Sequence, residues 1–454
     1  MVKTGETMMT LDELREAVTR GEIDTVVLAM TDMQGRLQGK RFDAEAFVGG
    51  IAADGAEACN YLLAVDMEMV TLSGFALTSW ESGYGDFVLQ PDLATLRPMP
   101  WLEGTVFCVA DVMHHDSSPV VESPRQILRA QLERLAERGW NAQIGSELEF
   151  VLFRESYDTA RDKGYRDLKP ANAYNVDYSI LGTTMVEDVI RPIRLAMKTA
   201  GLKVEDSKGE CNLGQHEINF RYQEALRMAD DHAFYKLAVK EIAYQHGVAV
   251  TFMAKVNQLE GNSCHIHCSF WEGDEALFPG TGEGGHSPLY DQYIAGQVER
   301  THELSFFFAP NINSYKRYAY GSFAPTTLLW GRDNRTAAFR SVGHGKGLRL
   351  ETRIAGGDAN PYLAFAAVVA AGLDGIDREL VPPPPTPGSA YDADGQRMPT
   401  TLTEAVDLLD RSAFARAAFG DRVVDHYVNS GRHEVAAFES AVTDWELHRS
   451  FERS

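Results

Sequence analysis

Four segments of this 454-residue chain alternate charged or polar side chains with bulky apolar ones at a period of two. In "GSELEFVLF", Glu147 and Glu149 fall on one face and Leu148, Phe150 and Leu152 on the other. Likewise His265, His267 and Ser269 share a face in "SCHIHCSF", Arg349, Glu351 and Arg353 in "GLRLETRI", and Glu217, Asn219 and Arg221 in "GQHEINFRY". One such strand is explained by a sheet with its polar face in water. Four together predict a polar interior surface, where unpaired charges cost several kcal/mol each (~3–5) unless metal ions or anionic ligands compensate them.

The donor set narrows the compensating ligand. Glu147, Glu149, Glu210, Glu217, Glu351 and His265 are rich in oxygen, which favours magnesium or manganese over zinc. Hard metals among arginines equip a site for phosphoryl transfer. No GxxxxGK[ST] loop is present, so a nucleotide is not held in P-loop fashion, and Lys346 in the glycine-rich "SVGHGKGLR" is a candidate phosphate contact.

The rest of the chain sets bounds. A net charge of −22 repels phosphate backbones, so nucleic acid is not an expected partner. The five cysteines, Cys59, Cys108, Cys211, Cys264 and Cys268, show no CxxC spacing and predict neither a disulfide framework nor a zinc knuckle. The start "MVKTGETMMTLDELREAV" is polar where a leader needs an apolar run, and the apolar stretch Leu363 to Leu373 is too short to span a bilayer. A cytoplasmic protein with no membrane association is expected.

The length predicts two domains, at 1–117 and 118–454. The first reads as mostly β: "DTVVLAMTDMQGRLQGKRF" has two strands around a turn at Asp32 to Gly35. Ser117, Ser118 and Pro119 mark the boundary, and Ser123-Pro124 opens a helix with Leu128, Leu132 and Leu135 on one face. Further helices are predicted from Asp230 to His246, from Asn360-Pro361 through "YLAFAAVVAAGL", and after a capping box at Thr401 and Glu404. Strands between these helices make the larger part α+β, and "VPPPPTPG" (381–388) reads as a surface connector.

Six motifs in order, "GSELEF", "GECNLGQHEINFRY", "TFMAKV" with "GNSCHIHCSF", "NINSYKRY", "DNRTAAFR" and "RLETRIAGGDANPYLAFAA", resemble the glutamine synthetase superfamily. The resemblance implies an N-terminal β-grasp-like domain and a large catalytic domain of the glutamine synthetase/guanido kinase-like type, whose antiparallel strands line a funnel. It implies a homo-oligomer, in bacterial relatives usually a dodecamer of two hexameric rings with sites shared between neighbours. Glu149, Glu210 and Glu217 match the ligands of one metal, and Glu147, His265 and Glu351 those of another, with two or three Mg2+ or Mn2+ per site. Gly261, His265, Arg317 and Arg353 match positions that hold L-glutamate. Arg335, Arg340 and Arg349 match those around the phosphates of ATP and the transferring group, and Tyr222, His267, Ser269 and Lys346 those around the nucleotide. Asp32 corresponds to an aspartate that reaches a neighbour's site and, with Glu210, receives the nitrogen nucleophile, while Arg335 and Arg353 assist the chemistry. The implied reaction is ATP-dependent: γ-glutamyl phosphate forms and an amine displaces the phosphate, giving a γ-glutamyl amide.

One position departs from the family pattern. Basic residues Lys316, Arg317, Arg332 and Arg335 flank "GSFAP", and Phe323 stands where ammonia-using members carry a flap glutamate. An apolar ring weakens ammonium binding and offers a face to a larger amine. "TDMQGRLQGKR", "YLLAVDMEM" and "KGECNLGQ" resemble the γ-glutamylethanolamide synthetase branch, with γ-glutamylpolyamine synthetases next. Ethanolamine is therefore the expected small amine, held by Asp32, Glu210 and Tyr178. A polyamine ligase, an ammonia-using glutamine synthetase and a non-catalytic ring-forming relative remain the alternatives. Tyr391 lies near a tyrosine that some relatives adenylylate, but the surrounding motif is absent and that control is not expected.

Overall fold

The computed structural model describes residues 8–454, so the first seven residues of the polar start lie outside the described residues. The first sheet contains β1 (Thr25–Thr31), β2 (Leu37–Asp43), β3 (Ala56–Cys59), β4 (Asp86–Pro98) and β5 (Thr105–Met113), in the order β2-β1-β5-β4-β3. β1 runs parallel to β5 and the other neighbours are antiparallel. The β1–β2 hairpin closes at the predicted turn, where Gly35 N–H donates to the Asp32 carbonyl at 3.0 Å. Gly35 has φ +79°, and a Cβ there would lie 3.1 Å from Asn360 Cα, so both conformation and space call for glycine.

After β5 the chain turns through Ser117 (φ +65°) and enters the helix Pro124–Ala136. The expected boundary at 117 and 118 falls in this connection. Arg125, in the first turn of that helix, joins the two parts: its guanidinium meets Asp92 and Asp111 of the first sheet at 2.6 Å each and Asp230 at 2.9 Å. Three carboxylates around one almost wholly buried guanidinium repay its desolvation.

The second sheet holds β6 (Asn141–Phe153), β7 (Val204–Gly209), β8 (Gln215–Phe220), β9 (Gln223–Glu224), β10 (Ala249–Thr251), β11 (Cys264–Glu272), β12 (Glu275–Ala276), β13 (Trp330–Arg332), β14 (Phe339–Val342) and β15 (Arg349–Thr352). Its spine runs β13-β14-β15-β11-β6-β8-β7, with β9 and β10 on β6 and β12 on β11. All pairs are antiparallel except β13 with β14. The apolar faces of these strands, including Leu148, Phe150, Ile218, Ile266 and Leu350, are buried in the core. The helix Pro361–Asp377 is buried nearly all round, and a Cβ on Gly296 of the neighbouring helix Pro288–Arg300 would lie 2.1 Å from the Ala371 carbonyl.

One predicted helix start and one predicted cap need correction. The helix expected from Asp230 spans Ala225–Gln245, because the Glu224 carboxylate accepts hydrogen bonds from Leu226 N and Arg227 N and so caps it a turn and a half earlier. At Thr401 half of the capping box forms: its hydroxyl accepts from Glu404 N, but the Glu404 carboxylate accepts from Thr400 N instead. Among the described residues no helix is long and apolar enough to cross a membrane.

Candidate active site

Strand register assembles the site. Glu147 on β6 lies opposite His265 on β11, Glu351 on β15 opposite both His267 on β11 and Arg340 on β14, and Glu149 on β6 opposite Glu217 on β8, itself opposite Lys208 on β7. Directly paired residues share a face, so the polar sides of six strands merge into one continuous charged floor.

At one end Glu149, Glu210 and Glu217 bring carboxylate oxygens within 4.8 Å of one another. Burial first, then the neighbouring Glu210 carboxylate, pushes the Glu149 pKa upward; burial and the charges of Glu147, Glu149 and Glu210 push Glu217 well up. Burial also raises Glu210, against the pull of Lys208. Gln215 Nε2 and Ser263 N–H donate to Glu149 Oε2 at 2.9 and 2.7 Å, which fixes its orientation. Three mutually repelling oxygen donors with fixed geometry fit a divalent magnesium or manganese ion.

At the other end Glu147 meets His265 Nδ1 at 3.2 Å and His267 Nε2 at 2.9 Å. Glu351 bonds Arg353 and, at 2.9 Å, Arg340. Burial opposes ionisation of both carboxyls, but the imidazoles hold Glu147 far below the carboxylate range, and Arg353 with the same imidazoles brings Glu351 to about 2. Burial and then Arg353 lower His265 to about 4, leaving it neutral, the form that binds metal, and its Nε2 is buried without a hydrogen-bond partner. His265 Nδ1 is 3.7 Å from Glu351, but the groups whose ligand atoms lie within 4.8 Å of one another are Glu147 with Glu217 and His265, and Glu147 with His267 and Glu351. The geometry adds His267, predicted as a nucleotide contact, as a second imidazole within reach of Glu147 and Glu351.

The anion-binding candidates form the wall. Arg317 is fully buried, donating to the carbonyls of Ile354 (2.7 Å) and Arg353 (3.0 Å) and to Ser263 Oγ (2.8 Å). Its Nε, like that of Arg353, has no partner, which leaves donors for a carboxylate ligand. Gly261 lies against it: a Cβ would come 3.0 Å from Arg317 Cγ and 2.2 Å from the Ala254 carbonyl. Arg349 Nε donates to His267 Nδ1 at 3.1 Å, and Ser269 Oγ accepts from Trp271 Nε1 at 2.8 Å. Arg335 and Tyr222 are exposed, and Arg335 has no ion pair among the described residues.

Asp32 and Lys346 are not brought to this site. Asp32 has no solvent exposure in the single chain; its carboxylate accepts from Gln34 N, Arg36 N, Arg36 Nε and Gln38 Nε2, so it organises its own turn. Lys346 Nζ donates to the Asp274 carbonyl at 2.9 Å, beside the β11–β12 hairpin. Conversely, sequence reading missed Lys208 and Asp177. Lys208 Nζ bridges Glu210 (2.6 Å) and Asp177 (2.9 Å) and stands 4.1 Å from the centre of the exposed Tyr178 ring. Period two counted back from Glu210 would have placed Lys208 on the floor.

Phe323 meets the site at Arg353. Its φ is +57°, the residue is 52% exposed, and its carbonyl accepts from Arg353 Nη2 at 3.4 Å. A ring packed into the flap's own hinge would be covered; this one is offered to solvent.

The model of the glutamine synthetase catalytic domain matches residues 121–450, and the chain belongs to that family. It is an enzyme, an ATP-dependent glutamate–amine ligase of the glutamine synthetase type, in a family that depends on ATP and divalent metal. The gamma-glutamylethanolamide synthetase GlnA4 of Streptomyces coelicolor is 58% identical over 98% of this chain and 96% of its own length. Glutamate–isopropylamine ligase of a Pseudomonas species is 35% identical over 96% of this chain and 97% of its own. Among solved structures, GmaS without ligand matches with a TM-score of 0.85 at 30% identity, covering 97% of this chain and 99% of that one.

Proposed function

We propose that this ligase joins the γ-carboxylate of L-glutamate to ethanolamine. The observation that carries the choice is Phe323: a half-exposed apolar ring, tied through its carbonyl to Arg353, at the position where ammonia-using members carry a carboxylate. A ring gives ammonium neither charge nor a hydrogen-bond acceptor, whereas it contacts the carbon skeleton of a larger amine, worth about 1 kcal/mol. The 58% identical relative named for γ-glutamylethanolamide supports the same choice.

In this reading Arg317, Arg353 and Gly261 hold glutamate, and Arg340, Arg349 and Arg335, with Tyr222, His267 and Ser269, receive ATP. Glu149, Glu210 and Glu217 would hold one divalent ion, and Glu147, Glu351 and His265 a second. Bound metal supplies charge neutralisation to the phosphates. The γ-carboxylate oxygen attacks the terminal phosphorus of ATP, releasing ADP and forming γ-glutamyl phosphate, whose developing charge the arginines spread. The unprotonated amine attacks the acyl carbon, phosphate leaves, and the amine proton passes to Glu210 or its neighbour Asp177. Tyr178 lines the amine side.

The ring assembly and cytoplasmic location of the family form part of the proposal. Exposed Met67, Val70 and Trp80 in the N-terminal part and Ile180, Leu181 and Met185 in the catalytic part are apolar groups that a subunit interface would cover.

Phosphate release with glutamate, ATP and a panel of amines tests the reading. Ethanolamine is expected to support the fastest turnover at equal amine concentration. Faster turnover with ammonium returns the chain to the glutamine synthetases proper, and faster turnover with a polyamine moves it to that branch.

A further inference from the structure

The flap from Tyr318 to Pro325 has no regular secondary structure and contains two left-handed residues, Gly321 (φ +75°) and Phe323 (φ +57°). Glycine takes such a conformation freely, whereas phenylalanine does so at a cost of about 1–2 kcal/mol, so something outside the turn must hold it there. Arg353 supplies one hold, through a long contact to the Phe323 carbonyl. The other comes from the segment after the proline-rich connector. Tyr391, 7% exposed, donates its hydroxyl to the Ala324 carbonyl at 3.1 Å. Its ring packs against Tyr320 with centroids 5.1 Å apart, and the Tyr320 hydroxyl donates to Asp392 at 3.2 Å.

The support behind Tyr391 is firm. Thr386 N donates to the Trp330 carbonyl at 2.9 Å, Asn334 Nδ2 to the Gly388 carbonyl at 2.8 Å, Ala390 N to Thr336 Oγ1 at 2.8 Å and Met398 N to the Thr326 carbonyl at 3.0 Å. These bonds fasten the loop on both sides of Tyr391 to the segment 326–336. The adjacent carbonyls of Phe323 and Ala324 are thus gripped by two different parts of the fold, Arg353 just past β15 and Tyr391 on its anchored loop.

We propose that Tyr391 is a positioning residue for amide formation, a clasp whose hydroxyl holds the Phe323 flap over the site. This rests on the reading that the flap shields γ-glutamyl phosphate. With the clasp open, the strained turn relaxes and water reaches the acyl carbon: its oxygen forms the new bond, phosphate leaves, and the proton goes to solvent. The net reaction is then ATP plus water to ADP plus phosphate, with glutamate regenerated.

Tyr391→Phe tests this, because it keeps the ring against Tyr320 and removes the donor alone. The readout is the ratio of γ-glutamyl amide formed to phosphate released, measured with whichever of ethanolamine or ammonium turns over faster, so that a wrong choice of amine does not affect it. Hydrogen exchange of the amides from 319 to 324 reads the same clasp without turnover. The expected result is amide per phosphate lower by roughly 3- to 10-fold, the net worth of one neutral hydrogen bond, with faster flap exchange and an unchanged KM for ATP. Tyr320→Phe, which leaves the hydroxyl on Ala324 intact, is expected to stay coupled. Unchanged coupling in Tyr391→Phe overturns the proposal whatever happens to thermal stability, and so does equal uncoupling by Tyr320→Phe.

Discussion

The carboxylate floor and the Phe323 flap meet at Arg353 and are built on opposite principles. On the floor, functional side chains project from paired strands, and register fixes their neighbours: moving Glu149 relative to Glu217 would mean slipping β6 against β8. On the flap, one phenylalanine sits on irregular backbone held by an arginine contact and a tyrosine hydroxyl. The floor carries chemistry common to the family, which tolerates no displacement. In the proposed function the flap carries the choice of nucleophile, which a single side chain would change without disturbing the floor. Substitutions on the floor should therefore abolish turnover for every amine alike, and substitutions on the flap should redistribute it among amines.

Glu149→Ala gives the largest effect. It removes a carboxylate held by Gln215 and Ser263 from the three-oxygen group and leaves those donors unpaired. Turnover should fall by roughly 10^3-fold or more with ethanolamine and ammonium equally, and the rise in melting temperature produced by Mg2+ should shrink, because one of the two ion sites loses a ligand. A loss confined to one amine would contradict the division between floor and flap. Next comes Gly261→Ala, whose new Cβ must move either the Ala254 carbonyl, 2.2 Å away, or the Arg317 side chain at 3.0 Å. Shifting that guanidinium by several tenths of an ångström should cost about 10^2-fold in kcat/KM for glutamate while leaving the KM for ATP near its original value.

The same division explains what the sequence made legible. Period-two alternation placed Glu147, Glu149, Glu217, His265 and Glu351 on one face because pleating enforces it, and pairing then brought the four strands together. β7 lacks that signal: "VEDSKG" has little apolar residue to alternate with, so nothing in its pattern separates Lys208 on the floor from a surface lysine. Asp32 is a different case. An aspartate in a glycine turn is written identically whether it points outward to a ligand or inward to its own turn, and burial, not residue type, decides. Phe323 showed its apolar character in the sequence, but not its left-handed backbone, because "GSF" already supplies a glycine to make the turn.

The floor's electrostatics give a smaller effect that can be titrated. Glu149, Glu210 and Glu217 have pKa values raised in the folded state, so without metal the fold retains protons that the unfolded chain releases above its ordinary carboxylate pKa near 4.5. Their contribution to stability is present below that value and is lost as pH rises through the raised values. A bound cation displaces those protons, so metal affinity must strengthen over the same window, by up to about tenfold per pH unit for each proton displaced. The increase in melting temperature produced by a fixed Mg2+ concentration should therefore be larger at pH 8 than at pH 5.5. His265, lowered to about 4, is neutral at both values and does not mask the difference. An equal increase at both would mean that these carboxylates are already ionised in the metal-free protein.

The smallest effect is on the flap and bears most directly on the amine. Phe323→Glu returns a carboxylate to a residue whose carbonyl already bonds Arg353, and should shift the ratio of ammonium to ethanolamine turnover toward ammonium by about 5- to 10-fold, the worth of one ring contact exchanged for one charge. Phe323→Gly separates ring from backbone. Glycine accepts φ +57° without penalty, so this variant should be more stable by about 1 kcal/mol even though it loses a large side chain, because the ring is half exposed and little buried area goes with it. It should also lose part of the ethanolamine preference without gaining ammonium turnover. If Phe323→Gly keeps the preference intact, selectivity belongs to the Tyr178, Lys208 and Asp177 side of the site rather than to the flap. If it is less stable than the parent, the ring is packing against more than the fold of one chain provides, and a neighbouring subunit covers it.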